Sequence, residues 1–335
     1  MKKRITTILL VTVLSIIWAE RTVAQCVLGG NHIMHDTEWS PSSCPEGYSL
    51  IDVVYIDPGV TLTIQAGTVV HIVSGYLFVQ GGNIQALGTS TAPIVFDAPN
   101  GNHPDCINVN PIGNTESVFR WCLFSNFTYA LENFRKPIEI TNCSFINCVR
   151  GVDIQCNGPD QEAVTITNCD FIWDDYFDGW GNAWTGIMLK RADHFGNSYL
   201  VANCRFMKTG EWPEWDHIVG LICTSIGDAV ANHSHEYCTV ANNHFDNTLS
   251  QGHFGMSFWA PGGWSEAPQI VNNYIGGGES VHWNDVPPPE RQFARNNLVI
   301  TPFGTDDIDC SGMTVFYGET QHLYIDPDRE NPFLV

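Results

Sequence analysis

Three stretches of the chain repeat one pattern and decide its fold: IEITNCSF (138–145), VTITNCDF (164–171) and YLVANCRF (199–206). Each begins with a short apolar-rich strand and continues with Asn-Cys, one polar residue and Phe. Four weaker copies surround them, namely VFRWCLF (118–124), CTVANNHF (238–245), PQIVNNYI (268–275) and RQFARNNLV (291–299). Alignment of the seven copies places one residue of each in a single column: Cys122, Cys143, Cys169, Cys204, Asn243, Asn273 and Asn297.

The spacing along this column predicts a solenoid. It is 21 residues at its shortest, from Cys122 to Cys143, and 39 at its longest, from Cys204 to Asn243. Repeats of this kind, made of short strands with no helical period between them, are typical of coils that stack on one another. Parallel strands then run up each face about 4.8 Å apart, and every coil buries its apolar residues against its neighbours.

A second column separates inward from outward residues. In it a small residue precedes an alternating segment, as in GVDIQ (151–155), GIMLK (186–190), GLICT (220–224), GMSFW (255–259) and SVHWN (280–284). Because side chains alternate along a strand, one set in each segment must face inward and the other outward. The inward set includes Val152, Ile154, Ile187 and Leu189, and the outward set includes Asp153, Gln155, Lys190, Trp259 and His282.

These repeats resemble the right-handed parallel β-helix repeat of the pectate-lyase-like superfamily, over residues 51 to about 325. The resemblance implies an all-β fold, a single right-handed parallel β-helix (solenoid) of about ten coils. The motifs of two enzyme families in it are incomplete here. Trp215-Asp216-His217 is similar to the pectate lyase motif but lacks its intervening residue, and Gly252-His253-Phe254-Gly255 is similar to the polygalacturonase motif but stands in the wrong order along the chain. No catalytic residue can be carried over from either family.

The two ends of the chain predict separate segments. Lys2-Lys3-Arg4, the apolar run 5–18 and the small residue Ala24 predict a secretory signal over residues 1–24. Residues 25–50 are then an N-terminal cap, residues 51–325 the β-helix, and residues 326–335 a C-terminal tail. Because the tail offers no obvious cap, we expect a truncated chain, or a last coil covered by a protein partner or by self-association.

Charge excludes one class of partner and hydropathy another. Asp and Glu number 36 against 15 Lys and Arg, so the formal net charge is −21. Nucleic-acid binding depends on Lys and Arg at the phosphates, so we expect no nucleic-acid partner. After the leader, no apolar run reaches the roughly 18 residues of a membrane span, so we expect no membrane insertion. The sequence therefore predicts a secreted protein, extracellular or periplasmic.

The cysteines raise the question of disulfides. The chain has 12, and an even number in an exported protein ordinarily indicates bridges. Four of them lie in the first column, where parallel side chains rarely supply the dihedral angle near 90° that a disulfide needs. We therefore expect a ladder of reduced thiols, with a bridged ladder as the alternative. Cys26 and Cys44, outside the repeats, are the expected disulfide pair.

Long insertions at one corner of consecutive coils predict a binding site. The distance from the first-column residue to the small residue that opens the second column is 8 residues from Cys143 to Gly151, but 17 residues from Cys169 to Gly186. Insertions on neighbouring coils project side by side, and exposed indoles beside carboxylates suit sugar rings. The alternative is a satellite core in which these indoles pack on the flank of the solenoid. The predicted substrate-binding set is Trp173, Trp180, Trp184, Trp212, Trp215 and Trp259.

Residues on the outward row and in these loops supply the candidate catalytic set: Asp153, Lys190, Arg191, Asp216, His217 and His282. A lyase that acts on uronic acids needs a base and a cation, and Lys190 or Arg191 could supply the cation. A hydrolase needs two carboxylates across a groove, such as Asp153 and Asp216. These residue types are compatible with either reaction.

One acidic loop predicts a cation site. Asp174, Asp175 and Asp178 crowd carboxylates together, and calcium prefers such oxygen ligands. The spacing departs from the EF-hand rule, because Tyr176 occupies a ligand position. Calcium is the one cofactor that the sequence offers, and a solvated acidic turn is the alternative.

The combined prediction is a secreted parallel β-helix protein that binds an extracellular polysaccharide through Trp-, Asp- and His-rich loops on one edge. If it also cleaves the polysaccharide, it is a polysaccharide lyase or a glycoside hydrolase. The alternative, from a different class, is a non-catalytic structural or adhesive extracellular solenoid.

Overall fold

The strands of the computed structural model stack in parallel, coil on coil, as the repeats predict. Every regular element in the part of the chain that the structure describes is a β-strand. The described residues are 26–99, 104–110, 116–134, 137–156, 163–174, 183–191, 198–208, 217–225, 233–234, 238–246, 254–259, 264–266, 269–271, 273–276, 279–284, 294–295, 297–301 and 313–317.

The strands are short and are numbered here in chain order. The first half of them are β1 (Cys26–Leu28), β2 (His32–Ile33), β3 (Thr37–Trp39), β4 (Tyr48–Leu50), β5 (Val54–Ile56), β6 (Thr61–Gln65), β7 (Val69–Ile72), β8 (Leu77–Gln80), β9 (Asn83–Leu87), β10 (Ile94–Asp97), β11 (Ile107–Asn110), β12 (Ser117–Arg120), β13 (Cys122–Ser125), β14 (Tyr129–Phe134), β15 (Ile138–Thr141), β16 (Ser144–Ile146) and β17 (Arg150–Cys156). The second half are β18 (Ala163–Thr167), β19 (Asp170–Trp173), β20 (Ala183–Arg191), β21 (Ser198–Ala202), β22 (Arg205–Lys208), β23 (His217–Ser225), β24 (His233–Ser234), β25 (Cys238–Ala241), β26 (His244–Asp246), β27 (Phe254–Trp259), β28 (Trp264–Glu266), β29 (Gln269–Val271), β30 (Tyr274–Gly276), β31 (Glu279–Asn284), β32 (Ala294–Arg295), β33 (Asn297–Thr301) and β34 (Met313–Tyr317).

Three long parallel sheets hold nearly all of these strands. Sheet 1 has the order β1-β4-β7-β10-β13-β16-β19-β22-β26-β30-β33-β34, and sheet 2 the order β2-β5-β8-β11-β14-β17-β20-β23-β27-β31. Sheet 3 has the order β3-β6-β9-β12-β15-β18-β21-β25-β29-β32, and β24 pairs with β28 apart from the three. The chain thus visits the three sheets in turn, which is the arrangement of a parallel β-helix. No helix in the described part is long and apolar enough to cross a membrane.

The predicted cap segment, residues 25–50, contributes to all three sheets. Strand β1 pairs with β4, strand β2 with β5 and strand β3 with β6, all in parallel. A disulfide joins Cys26 to Cys44, as predicted. It ties the first strand of sheet 1 to the turn that precedes β4.

The inward ladder predicted from the first column is confirmed. In sheet 1, Leu123 pairs with Ser144, and these two residues directly follow Cys122 and Cys143. The residues that directly follow the later column positions pair in the same way, so the column residues lie next to one another from strand to strand. All of its described side chains are at most 2% exposed: Cys122, Cys143, Cys169, Cys204, Asn243 and Asn273. The four cysteines are free thiols, and so are the buried Cys106 and Cys148. Burial raises the pKa of the Cys143 and Cys169 thiols well above the ordinary value, which disfavours the reactive thiolate.

Two residues after the ladder, the Phe of the repeat forms a second inward stack. Neighbouring rings lie 4.5–4.9 Å apart, with planes within 6° of parallel. The stack runs through Phe96, Phe124, Phe145, Phe171, Phe206 and Phe245. The strand spacing of about 4.8 Å sets the ring spacing, so the repeat itself builds this part of the core.

The residue before the ladder makes the bend between sheets 3 and 1. Asn142, Asn168, Asn203 and Asn242 all have φ of 55° to 56°, in the left-handed region that Asn tolerates better than most residues. Trp121 takes the same position with φ of 52°. The Asn of the Asn-Cys repeat is therefore a turn residue, and the following residue points into the core.

Candidate functional site

The outer face of sheet 2 carries one row of side chains in which aromatic residues give way to polar ones. The register places His32, Tyr55, Phe78, Asn108, Glu132, Asp153 and Met188 opposite one another on the strands from β2 to β20. We call these seven residues the outer row. They alternate with buried residues such as Leu77 and Val79 or Val152 and Ile154, so the row faces away from the core.

The first part of the outer row is aromatic. The ring of His32 stacks on Tyr55 with centroids 4.6 Å apart, and Tyr55 meets Phe78 edge to face at 5.8 Å. Tyr76 also packs against Phe78, at 6.2 Å. The Nδ1 atom of His32 lies 2.8 Å from an oxygen of Asp57, which fixes the imidazole. These partly exposed rings form a connected apolar strip across three strands.

Asn108 begins the polar part of the row, and Glu132 follows it on the next strand. The amide of Asn108 donates a hydrogen bond of 2.6 Å to Oε2 of Glu132, and the amide of Gln155 donates one of 3.1 Å to Oε1 of the same carboxyl group. Partial burial, followed by the negative charges of Asp153 and Asp105, raises the pKa of Glu132 above its ordinary value. Glu132 therefore binds a proton more readily than a carboxyl group in water does.

Asp153 lies beside Glu132 and holds two cations. Arg150 Nη1 and Lys190 Nζ both contact its Oδ2, at 2.7 Å and 2.6 Å. Its side chain is 0% exposed, and its Oδ1 meets no hydrogen-bond donor among the described residues. The sequence predicted an outward Asp153 that could meet a ligand, and this is wrong as far as solvent access goes. Asp153 lies on the outer row, but it is enclosed.

A tyrosine fixes the arginine of this group. The guanidinium of Arg150 lies 5.0 Å from the ring centre of Tyr129, a cation–π contact. Burial raises the pKa of Tyr129, while the positive charge of Arg150 opposes this. Tyr129 stays protonated at neutral pH and can donate a hydrogen bond.

The structure brings together only part of the predicted catalytic set. Asp153 and Lys190 are in contact. Arg191 ends β20 and His217 begins β23, and these placements concern the backbone alone. The backbone of His282 lies on β31, four strands beyond Asp153 in sheet 2, or about 19 Å at ordinary strand spacing. Asp216 lies outside the described residues.

Two of the predicted substrate-binding tryptophans are core residues. Trp173 and Trp184 are each 2% exposed and belong to the main hydrophobic core. The indole N–H of Trp173 donates to the carbonyl of Cys148 at 3.1 Å. The prediction is therefore corrected for this pair, because such indoles have no free face for a sugar; they pack in the main core and not in a satellite core on the flank. Trp259 ends β27, and Trp180, Trp212 and Trp215 lie outside the described residues.

The predicted cation loop is described only at its first residue. Asn147 donates its side-chain amide to the carboxylate of Asp174 and accepts a hydrogen bond of 3.0 Å from the Asp174 backbone N–H. Asp175 and Asp178 lie outside the described residues. Within the described ranges, no three residues among His, Cys, Asp and Glu come together as metal ligands.

Several residues of the site were not predicted from the sequence. Asn108, Glu132 and Arg150 were not among the candidates, nor were Tyr55 and Phe78. One signal pointed to Glu132: Ala130 follows Cys122 by 8 residues, as Gly151 follows Cys143, so ALENF aligns with GVDIQ and Glu132 with Asp153. The aromatic strip has no such repeat, so only the register of the strands shows it.

A comparison of the chain with known proteins gives no match among family models, curated proteins or solved structures. The chemistry of the site therefore rests on its own geometry. That geometry offers ring faces, two amides and one carboxyl group with a raised pKa, beside a carboxylate that is already neutralised by two cations.

Proposed function

We propose that the protein is an exported parallel β-helix protein that binds an extracellular polysaccharide on the outer face of sheet 2. The observation that carries the proposal is the outer row itself, where a strip of aromatic rings leads directly into hydrogen-bonding side chains on consecutive strands. Neighbouring strands are about 4.8 Å apart, so these groups form a continuous surface for an extended ligand.

The chemistry of a sugar matches both parts of this surface. The C–H faces of sugar rings stack on aromatic side chains, here Tyr55 and Phe78. Sugar hydroxyl groups donate to carboxylates and exchange hydrogen bonds with amides, which Glu132, Asn108 and Gln155 supply.

Several finer parts of the sequence prediction belong to this proposal. They include right-handed coiling with about ten coils, the likeness to the pectate-lyase-like superfamily, and removal of residues 1–24 on export. We further propose that the loops with Trp180, Trp212 and Trp215 extend the sugar-binding surface, together with Trp259 at the end of β27. Calcium in the loop of Asp174, Asp175 and Asp178, and a protein partner or self-association at the C-terminal end, complete the proposal.

Cleavage of the polysaccharide is a second candidate function, and the state of Glu132 favours it. A carboxyl group with a raised pKa can donate a proton to the oxygen of a glycosidic bond, which a glycoside hydrolase requires. Asp153 is enclosed, so it would act by its charge on Glu132 and not by contact with a sugar. A lyase reaction is the alternative to hydrolysis, and it would need Lys190 or Arg191 as the cation. Asp216 and His217 are further candidate catalytic residues.

The experiment is a glycan-array screen of the purified protein, followed by calorimetry and product detection on each glycan that binds. We expect Phe78→Ala to weaken binding at least about fivefold, which corresponds to about 1 kcal/mol of lost stacking. Trp121→Ala is the matched control, because Trp121 is 39% exposed but lies outside sheet 2. Equal loss in both variants would contradict the site.

The same screen separates the candidate functions. If cleavage occurs, Glu132→Gln should lower kcat by about 100-fold or more while binding persists. Binding without products would identify a binding protein. No binding to any glycan would overturn the proposal and favour the structural or adhesive solenoid. Loss of binding in Trp180→Ala or Trp215→Ala would show that the loops take part.

A further inference from the structure

The two cations of the site, Arg150 and Lys190, already form ion pairs with the protein, and this limits the charge of the glycan that the site can bind. Arg150 and Lys190 both contact one oxygen of Asp153, at 2.7 Å and 2.6 Å. That carboxylate is 0% exposed, and its two partners are only 28% and 13% exposed. Breaking a buried ion pair of this kind leaves a charge without compensation, so neither cation is readily released to a ligand.

The other described arginines are engaged in the same way. Arg120 pairs with Glu139 on sheet 3 at 2.7 Å, and Arg205 pairs with Asp170 on sheet 1 at 3.1 Å. All three arginines whose side chains the structure describes therefore hold carboxylates of the protein itself.

Among the side chains of the outer row that the structure describes, the groups that remain for a ligand are neutral or acidic. The aromatic strip offers ring faces, Asn108 and Gln155 offer amides, and Glu132 offers a carboxyl group. Partial burial, followed by the negative charges of Asp153 and Asp105, raises the pKa of Glu132, so the surroundings of this carboxyl group already disfavour a negative charge. A uronate would add another negative charge to this surface and to a chain with a net charge of −21.

Granted the glycan binding proposed above, on which this step rests, we infer that the ligand of the outer row is a neutral polysaccharide and not a polyuronate. It is recognised through hydroxyl groups on Glu132, Asn108 and Gln155 and through ring faces on Tyr55 and Phe78. The ion pairs around Asp153 fix this choice, because they withdraw from the surface the two cations that a uronate would need.

The test compares polymers that differ in charge. The probes are polygalacturonate, the same polymer with its carboxyl groups fully methyl-esterified, partially deacetylated chitin as a cationic glycan, and a panel of neutral galactans, arabinans, mannans and glucans. We expect the best neutral polymer to bind at least about tenfold more tightly than polygalacturonate. Its affinity should change little between about 50 mM and about 500 mM salt, because no ion pair with the ligand is screened.

A substitution then tests the cause. Asp153→Asn removes the charge that holds Arg150 and Lys190, so it should raise the affinity for polygalacturonate relative to the esterified polymer. Asp170→Asn is the matched control, since it releases Arg205 on sheet 1 and should leave that ratio unchanged. Should Asp153→Asn fail to fold, the comparison of polymers on the unchanged protein still decides the question.

The outcomes separate this inference from the proposed function. Preference for neutral polymers supports both. Tighter binding of polygalacturonate, or of the cationic glycan, overturns the inference and leaves glycan binding standing. Binding to no glycan overturns the proposed function, and the inference with it. An equal change of the ratio in the two variants would show that the ion pairs of Asp153 do not set the selectivity.

Discussion

Inside the coils the same position is filled by the same residue type again and again, whereas on the outer face of sheet 2 each coil contributes a different group. The interior stack is Phe on six successive strands of sheet 1. The outer row passes from Tyr55 and Phe78 to Asn108, Glu132 and Asp153 on consecutive strands of sheet 2.

The difference follows from what each position must satisfy. An interior side chain has to fill the same space between two coils, so one solution recurs down the stack. An outer side chain needs only hydrogen-bond partners for its polar groups, so its residue type can differ from coil to coil and can match a ligand. Repetition therefore marks the fold, and loss of repetition marks the surface on which function is sought.

The largest effect should come from the interior. Phe171→Ala removes a ring that stacks at 4.8 Å on both Phe145 and Phe206, and we expect a loss of about 3–5 kcal/mol in the free energy of unfolding. Phe78→Ala is the matched change on the outer row, with an expected loss of about 1 kcal/mol. Urea denaturation followed by circular dichroism measures both. Equal losses would remove the distinction between the two regions.

Asp153 should be an exception among the outer positions, because its substitution should lower the free energy of unfolding strongly. Asp153→Asn leaves Arg150 and Lys190 without their shared carboxylate in a buried place, so we expect a loss of about 3 kcal/mol. Asp170→Asn breaks the more exposed pair with Arg205 and should cost less than about 1 kcal/mol. Urea midpoints of the two variants provide the comparison. A small loss for Asp153→Asn would mean that solvent reaches this carboxylate.

The ladder offers a third comparison, within the interior. Asn243 accepts from the Cys204 backbone N–H at 2.8 Å and donates to the Val201 carbonyl at 3.0 Å, while the thiol of Cys169 donates weakly to carbonyls at 3.2 Å and 3.6 Å. We expect Asn243→Ala to cost about 2 kcal/mol and Cys169→Ala about 1 kcal/mol, because only the first removes strong hydrogen bonds. Thermal unfolding ranks the two. The reverse order would mean that the packing of sulfur matters more than the hydrogen bonds of the amide.

The interior could be predicted from the sequence because its constraints repeat. Asn-Cys-polar-Phe recurs at the same place in the coils of Cys143, Cys169 and Cys204, and the ladder follows from it. The inward placement of Val152 and Ile154 follows from the second column, in which alternating segments recur after a small residue. The disulfide of Cys26 with Cys44 could be predicted because these two cysteines stand outside the repeat.

The site could not be predicted to the same extent, because its contacts join neighbouring coils at positions where the residue type does not repeat. Asp153 meets Lys190 across 37 residues, and Asn108 meets Glu132 across 24. Alternation correctly placed Asp153 on the outer side of its strand, but it carries no information on what covers that side. Trp173 was misplaced for a similar reason, since the carbonyl of Cys148 that accepts its indole N–H lies one coil away.

The smallest effect is a difference in pH dependence between two glutamates of opposite environment. Partial burial raises the pKa of Glu132 above its ordinary value of 4.5, whereas the hydrogen bond from Arg120 lowers the pKa of Glu139 below it. The stability that depends on protonation of Glu132 is full below pH 4.5 and is lost as the pH rises through the folded-state value. The stability from Glu139 is full above pH 4.5 and is lost as the pH falls through its own folded-state value.

Glu132→Gln and Glu139→Gln should therefore change with pH in opposite directions. Relative to the unchanged protein, Glu132→Gln should gain stability as the pH rises above 4.5, because it removes a carboxyl group that ionises at a cost there. Glu139→Gln should lose relative stability as the pH rises toward 4.5, because it lacks the carboxylate that Arg120 holds. Urea midpoints at about pH 3 and about pH 7 measure both slopes, each expected to correspond to less than about 1 kcal/mol. A slope of the same sign in both variants would show that the folded protein lowers the pKa of Glu132 as it does that of Glu139, and it would remove the support for the role of Glu132 as a proton donor.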